Sequence, residues 1–198
     1  AHEGERFTVD YDLPNERAYA ETCAAIALVF FAHRMLQLEA DGEYADVMER
    51  ALFNGVLPGV SRDGRSFFYV NPLVAHPGPL ASRGDQATHA RQSFFWCACC
   101  PNNLTRLVAS IGRYMYSRSP DAIWIHLYGR SSFRSRAGGT RVVVSQETRY
   151  PWDGTVDITV SPARPARFAL ALRIPGWCRG ARLRVNGRNV PPARVARK

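Results

Sequence analysis

A chain of 198 residues, 46% hydrophobic and 22% charged, is long enough for one or two small globular domains, and none of its apolar runs reaches the length of a membrane span. Its formal charge of +9 comes almost entirely from arginine, with Lys198 the single lysine. The arginines are scattered and no nucleic-acid motif accompanies them, so a compositional bias explains the charge better than a nucleic-acid partner does.

Residues 1–17 read as irregular and acidic, carrying Glu5, Asp10, Asp12 and Glu16, with a turn at Pro14-Asn15. The start, Ala1-His2-Glu3-Gly4-Glu5-Arg6-Phe7, has neither a basic first segment nor an apolar one. No signal peptide is expected there, and the chain reads as beginning in mid-domain. From Tyr19 to about Ala40 the pattern is helical and almost continuously apolar, which predicts a helix buried on most sides. His33 lies within it and reads as a core residue rather than a ligand. Asp41-Gly42 ends this helix. A second is expected over about Tyr44 to Val56, closed by Gly55, Pro58 and Gly59. Ser66 to Leu73 reads as extended. The Gly- and Pro-rich loop from His76 to Arg91 follows, and its histidines, His76 and His89, read as exposed.

The chemistry concentrates in Ser93-Phe94-Phe95-Trp96-Cys97-Ala98-Cys99-Cys100-Pro101-Asn102-Asn103. Pro101 suits the first position of a helix, where a missing N–H costs nothing. Leu104, Leu107, Val108, Ile111, Tyr114 and Met115 then recur at helical spacing. Cys99 and Cys100 therefore fall at a helix N-terminus, where the dipole favours thiolate over thiol. The chain has five cysteines, the others being Cys23, Cys97 and Cys178. An odd, crowded set is a poor disulfide framework. Metal binding or catalysis in a reducing, cytoplasmic compartment fits better. Cysteines that merely pack as small hydrophobes are the plain alternative.

Near Ser119-Pro120 the character changes. Short β-rich runs follow at Ile123–Tyr128, Thr140–Val144, Thr155–Val160, Phe168–Ile174 and Leu183–Val185, at the spacing of a sandwich. A domain boundary is expected at 118/119, with a mainly helical region 1–118 and a mainly β region 119–198.

Glu21-Thr22-Cys23 is the second chemical feature. Two residues apart on a regular helix, Glu21 and Cys23 would point about 200° apart. They meet at one ion only from an extended segment or a helix entry, and Thr22 is an acceptable N-cap for such an entry. Glu21, Cys23, Cys99 and Cys100 would then supply one carboxylate oxygen and three sulfurs, a set that fits tetrahedral zinc.

Tyr19-Ala20-Glu21-Thr22-Cys23, Phe68-Tyr69-Val70-Asn71-Pro72-Leu73 and Cys97-Ala98-Cys99-Cys100-Pro101-Asn102-Asn103, with Leu172-Arg173-Ile174-Pro175-Gly176-Trp177 further on, together resemble the glycoside hydrolase family 127 β-L-arabinofuranosidases. The resemblance implies an α+β multidomain fold: part of an (α/α)6 barrel followed by an antiparallel β-sandwich segment. It implies a retaining glycosidase with zinc held by Glu21, Cys23, Cys99 and Cys100. Cys99 would be the nucleophile, Glu5 the general acid/base, and Tyr69 would line the sugar site. The motif departs from the family's usual Pro-Pro-Asn at Pro101-Asn102-Asn103. The first barrel helices are missing too, so the expected partners are a carbohydrate and either a second copy of the chain or the absent barrel half. No nucleic acid and no membrane is expected. The competing reading is a structural zinc site in a carbohydrate-binding scaffold, since four protein ligands fill a structural shell. A thiol redox protein would need CxxC spacing and a βαβ context, which are absent.

Overall fold

The computed structural model describes residues 9–12, 14, 15, 18–74 and 88–191. The chain divides into two compact units, Ala1–Arg34 with Val47–Ile111 and Met35–Asp46 with Gly112–Lys198. Its architecture mixes helices and sheets, and no helix among the described residues is long and apolar enough to cross a membrane.

Helix α1 runs Thr22–Leu38 and α2 runs Gly42–Ala51, so the division into units falls inside both. In the first unit α1 buries Ile26, Val29 and Ala32, at the three-residue spacing of one stripe. Leu28 and Phe31, by contrast, are 44% and 63% exposed. The expectation of a helix buried on most sides is therefore corrected: packing among the described residues covers one stripe only. After α2 the chain continues as a π-helical turn, Leu52–Val56, and a 3-10 turn, Leu57–Gly59.

The segment around Phe67–Asn71 is extended. It forms isolated bridges, Phe67 with Val60 and with Gln92, and Val70 with Glu21. Phe67, Tyr69, Val70, Phe95 and Cys100 close into one core cluster. The rings of Phe67 and Phe95 meet edge-on at 5.1 Å, and those of Tyr69 and Phe95 at 6.0 Å. Phe95 is buried while its neighbours Phe94 and Trp96 are exposed, the alternation of an extended run.

Helix α3, Cys99–Ala109, buries Cys100 and Leu107. It starts two residues before the sequence signal placed it, so Pro101 is its third residue rather than its first. The difference costs nothing, because the first four N–H groups of a helix lack internal acceptors. The expected continuation to Met115 is interrupted. Ser110 and Ile111 donate to the carbonyls of Leu107 and Val108, closing α3 with tight three-residue turns.

The second unit contains the short helix α4, Gly112–Met115, and the strands. β1 (Tyr116–Arg118), β2 (Ala122–Ile125) and β6 (Ala169–Leu172) form one sheet. β3 (Ser131–Ala137), β4 (Thr140–Thr148) and β5 (Val156–Pro162) form another. β7 (Leu183–Val185) and β8 (Arg188–Val190) make a hairpin across Asn186-Gly187, both at positive φ, 50° and 79°. The expected antiparallel pattern holds except at β6, which pairs with β2 in parallel, Ile123 opposite Leu170. A parallel neighbour needs a long crossover, and the chain from β3 to β5 supplies it. Fully buried Gln146 of β4 links the two larger sheets, donating to the Tyr116 hydroxyl at 2.7 Å and the Leu127 carbonyl at 3.3 Å.

Candidate metal centre and active site

The site stands on the core cluster of the first unit, where two helix N-termini meet the extended segment. Glu21 and Val70 form a β-bridge, and α1 starts at the next residue. The Thr22 N–H donates to the Tyr69 carbonyl, and the Asn71 N–H donates to the Ala20 carbonyl. Glu21 is thus extended and Cys23 is already in the first helical turn, so the helix entry the sequence required is present. Thr22 does something other than cap. Its hydroxyl donates to the Phe68 carbonyl at 2.8 Å and accepts from Asn71 Nδ2 at 3.1 Å. That Asn71 amide also reaches the Ala20 and Gly55 carbonyls, so one buried side chain sets the whole entry. Gly59 leaves room for it: a Cβ there would lie 2.8 Å from Thr22 Oγ1.

Cys99 and Cys100 are the first two residues of α3, and its N-cap Ala98 offers no side-chain acceptor to the helix. The dipole and the free N–H groups of this end therefore act on the sulfurs. One donor atom each from Glu21, Cys23, Cys99 and Cys100 lies within 4.8 Å of all the others. Cys99 Sγ is 3.7 Å from Cys100 Sγ and 3.8 Å from Glu21 Oε1, and Cys100 Sγ is 3.9 Å from the same oxygen. A tetrahedral ion with bonds of about 2.3 Å to sulfur and about 2.0 Å to oxygen sets its ligands about 3.8 Å apart for two sulfurs and about 3.5 Å for sulfur and oxygen. The separations among Glu21, Cys99 and Cys100 fit such an ion to within a few tenths of an ångström, and the outer limit of 4.8 Å for the whole set asks for a closure of about 1 Å at most.

Exposure divides the set. Cys100 is fully buried and Glu21 nearly so, whereas Cys99 and Cys23 are half-buried and line a cleft of about 500 Å³. Tyr69, Cys97 and Asn103 line it too. Burial first, then the neighbouring Cys23 thiol, pushes the Cys100 thiol well above its ordinary range, and the Cys23 backbone N–H opposes this. Burial first, then a hydrogen bond with Cys99 and the nearby Glu21 charge, pushes the Tyr69 hydroxyl up as well. Acidic groups crowded this way resist ionising together, and a cation among them relieves the conflict.

Of the residues singled out from sequence, the structure brings Glu21, Cys23, Cys99, Cys100 and Tyr69 together. Cys97 and Cys178 stand outside the donor set. His89 is half-buried with Nδ1 enclosed, not exposed as expected. Glu5 and His76 lie outside the described residues. Sequence reasoning missed Asn103, whose Nδ2 donates to Cys23 Sγ at 2.9 Å. Its signal was available: it follows Cys99 by four residues and so shares a helix face with it.

The comparisons agree with this geometry. The family model described as the β-L-arabinofuranosidase GH127 catalytic domain matches residues 1–113, and that of the GH127 middle domain matches residues 122–197. A non-reducing end β-L-arabinofuranosidase from Bifidobacterium longum subsp. longum is 45% identical over 195 residues, covering 94% of this chain and 29% of that protein. A crystal structure of a GH127 β-L-arabinofuranosidase from Geobacillus stearothermophilus superposes with a TM-score of 0.89 at 55% identity, over 93% of this chain and 29% of that one. A second solved structure, a GH127 β-arabinofuranosidase, gives 0.83 at 36% identity, over 98% and 32%. The chain thus spans about 29% of the length of the curated relative it matches. With both family models matched in chain order and the Glu-Cys and Cys-Cys motifs converging in space, the chain belongs to glycoside hydrolase family 127, the β-L-arabinofuranosidase family.

Proposed function

We propose that this chain carries the metal centre and nucleophile of a retaining glycoside hydrolase acting on β-L-arabinofuranosides or related sugars. Zinc is the ion of this reading, with Glu21, Cys23, Cys99 and Cys100 its ligands. The observation that carries it is the convergence of those four donors beside an open cleft. When bound, zinc keeps the thiols ionised and draws charge from sulfur. Cys99 is the nucleophile, because its sulfur borders the cleft while that of Cys100 is sealed. Its attack forms a C–S bond at the anomeric carbon as the glycosidic C–O bond breaks, and Glu5 protonates the departing oxygen. Glu5 then takes a proton from water, which attacks the same carbon and displaces the sulfur. Two inversions give retention. Tyr69 lines the sugar site in the same cleft as Cys99.

The remaining readings belong to the same proposal. The helical part would be a segment of an (α/α)6 barrel and the strands a segment of a β-sandwich, divided at 118/119, consistent with family matches to 1–113 and 122–197. A reducing, cytoplasmic setting suits three thiols that must stay unpaired. A purely structural zinc site is the second reading, favoured by its full set of four protein donors. The cleft beside Cys99 argues against it, since structural sites are closed.

The test is turnover of an aryl β-L-arabinofuranoside by a full-length protein containing this sequence. Cys99→Ser is expected to abolish it and Cys178→Ser to leave it unchanged. Undiminished turnover by Cys99→Ser would refute the nucleophile assignment.

A further inference from the structure

We infer that Asn103 is a positioning residue of this site. Its amide holds the Cys23 sulfur in place as an anchored ligand. The inference rests on the metal-centre reading above.

Asn103 Nδ2 lies 2.9 Å from Cys23 Sγ. A neutral thiol is a weak acceptor, whereas hydrogen bonds to ionised acceptors are shorter and stronger. The amide nitrogen faces the sulfur and donates to it. Asn103 belongs to α3 and Cys23 to α1, so the contact ties the two ligand-bearing helices together 80 residues apart in sequence.

The three sulfurs thus differ in their partners. Cys23 receives a side-chain amide. Cys100 Sγ lies 3.9 Å from Glu21 Oε1 and 4.0 Å from the Tyr69 carbonyl oxygen. Cys99 Sγ lies 3.8 Å from Glu21 Oε1, at the cleft wall. An amide donor fixes the side chain of a metal-bound sulfur and so secures the ligand. Cys23 borders the same cleft as Cys99.

Cobalt(II) binding to the 198-residue chain tests this, read by the thiolate-to-cobalt charge-transfer band and by competition with zinc. Asn103→Leu keeps the side chain's bulk and removes its donor. The band is expected to move to longer wavelength, because the sulfur lone pair is no longer stabilised, and zinc affinity to fall roughly 10–100-fold, the usual effect of losing such a partner. Alkylation mapped by peptide should show Cys23 reacting faster relative to Cys99. Asn103→Ala serves if the leucine variant does not fold, and Asn102→Leu, at an exposed neighbour, should change nothing. An unmoved band with unchanged affinity in the Asn103 variants overturns the inference and leaves the metal centre standing. A wild-type chain that binds neither cobalt nor zinc overturns both.

Discussion

Asp46 and Arg173, 127 residues apart in sequence, form an ion pair with Nη1 2.5 Å from Oδ1. The Arg173 side chain is 3% exposed and also donates from Nε to the His126 carbonyl at 2.6 Å. Asp46 Oδ2 accepts the Gly176 N–H at 2.8 Å. A Cβ on Gly176 would sit 2.5 Å from that same oxygen. The Arg173-Ile174-Pro175-Gly176 stretch is therefore a clamp on α2 within the second unit. Arg173→Met should lower unfolding stability by about 3 kcal/mol, the low end for breaking a buried pair, since Asp46 keeps 22% exposure. Urea unfolding measures it. A change under about 1 kcal/mol would show that the pair is screened.

Thr22→Val should cost about 1–3 kcal/mol, the penalty for leaving the buried Phe68 carbonyl unpaired, as its hydroxyl is fully enclosed. Because Glu21 precedes it directly, metal affinity should fall too. Stability and zinc competition measured on one preparation separate the two effects. Loss of stability with unaltered affinity would mean that Glu21 is held independently of Thr22.

The Cys100 thiol gives the metal-free chain a definite pH dependence. Its folded value is raised above the ordinary 9.0, chiefly by burial. Above about pH 9 the unfolded chain releases this proton while the folded chain keeps it, so stability falls as pH rises. Below that value the contribution is fully present. With metal bound the sign reverses, because binding releases the thiol protons and strengthens with pH. Thermal unfolding from pH 7 to 10.5, with chelator and with zinc, should give a falling curve and a flat or rising one. Parallel curves would contradict the metal assignment.

Glu5→Gln, in a full-length protein containing this sequence, should slow hydrolysis of poorly activated arabinofuranosides by roughly 10²–10⁴-fold. Substrates with a good leaving group should be slowed least in the first step. A loss below about tenfold on the poor substrates would remove Glu5 from the acid/base role.

The four converging donors were legible because metal chemistry restricts candidates to few residue types, and because a Glu and a Cys two apart demand a helix entry. Five strand runs of the β region were legible, those of β2, β4, β5, β6 and β7, whereas β1, β3 and β8, short or rich in Ser and Arg, were not. The helix ends were less so. Pro101 is tolerated anywhere in a first turn, so it could not fix the start of α3. Thr22 has the chemistry of a cap, but its hydroxyl went to Phe68 and Asn71 across a tertiary contact that local sequence does not encode. The parallel β2–β6 pair and the Asp46–Arg173 clamp likewise join distant segments. Asn103 escaped notice because a neutral amide is no metal ligand, and its role shows only once the sulfur it faces is known.

The most direct test of the central claim is zinc K-edge X-ray absorption on the zinc-loaded chain, after dialysis has removed loosely held metal. One zinc per chain with three sulfurs at about 2.3 Å and one oxygen is the predicted shell, and Cys23→Ser, Cys99→Ser and Cys100→Ser should each remove one sulfur from it or abolish binding. A chain that retains no zinc, or a shell of nitrogen and oxygen alone, would contradict the assignment of Glu21, Cys23, Cys99 and Cys100 to one metal centre.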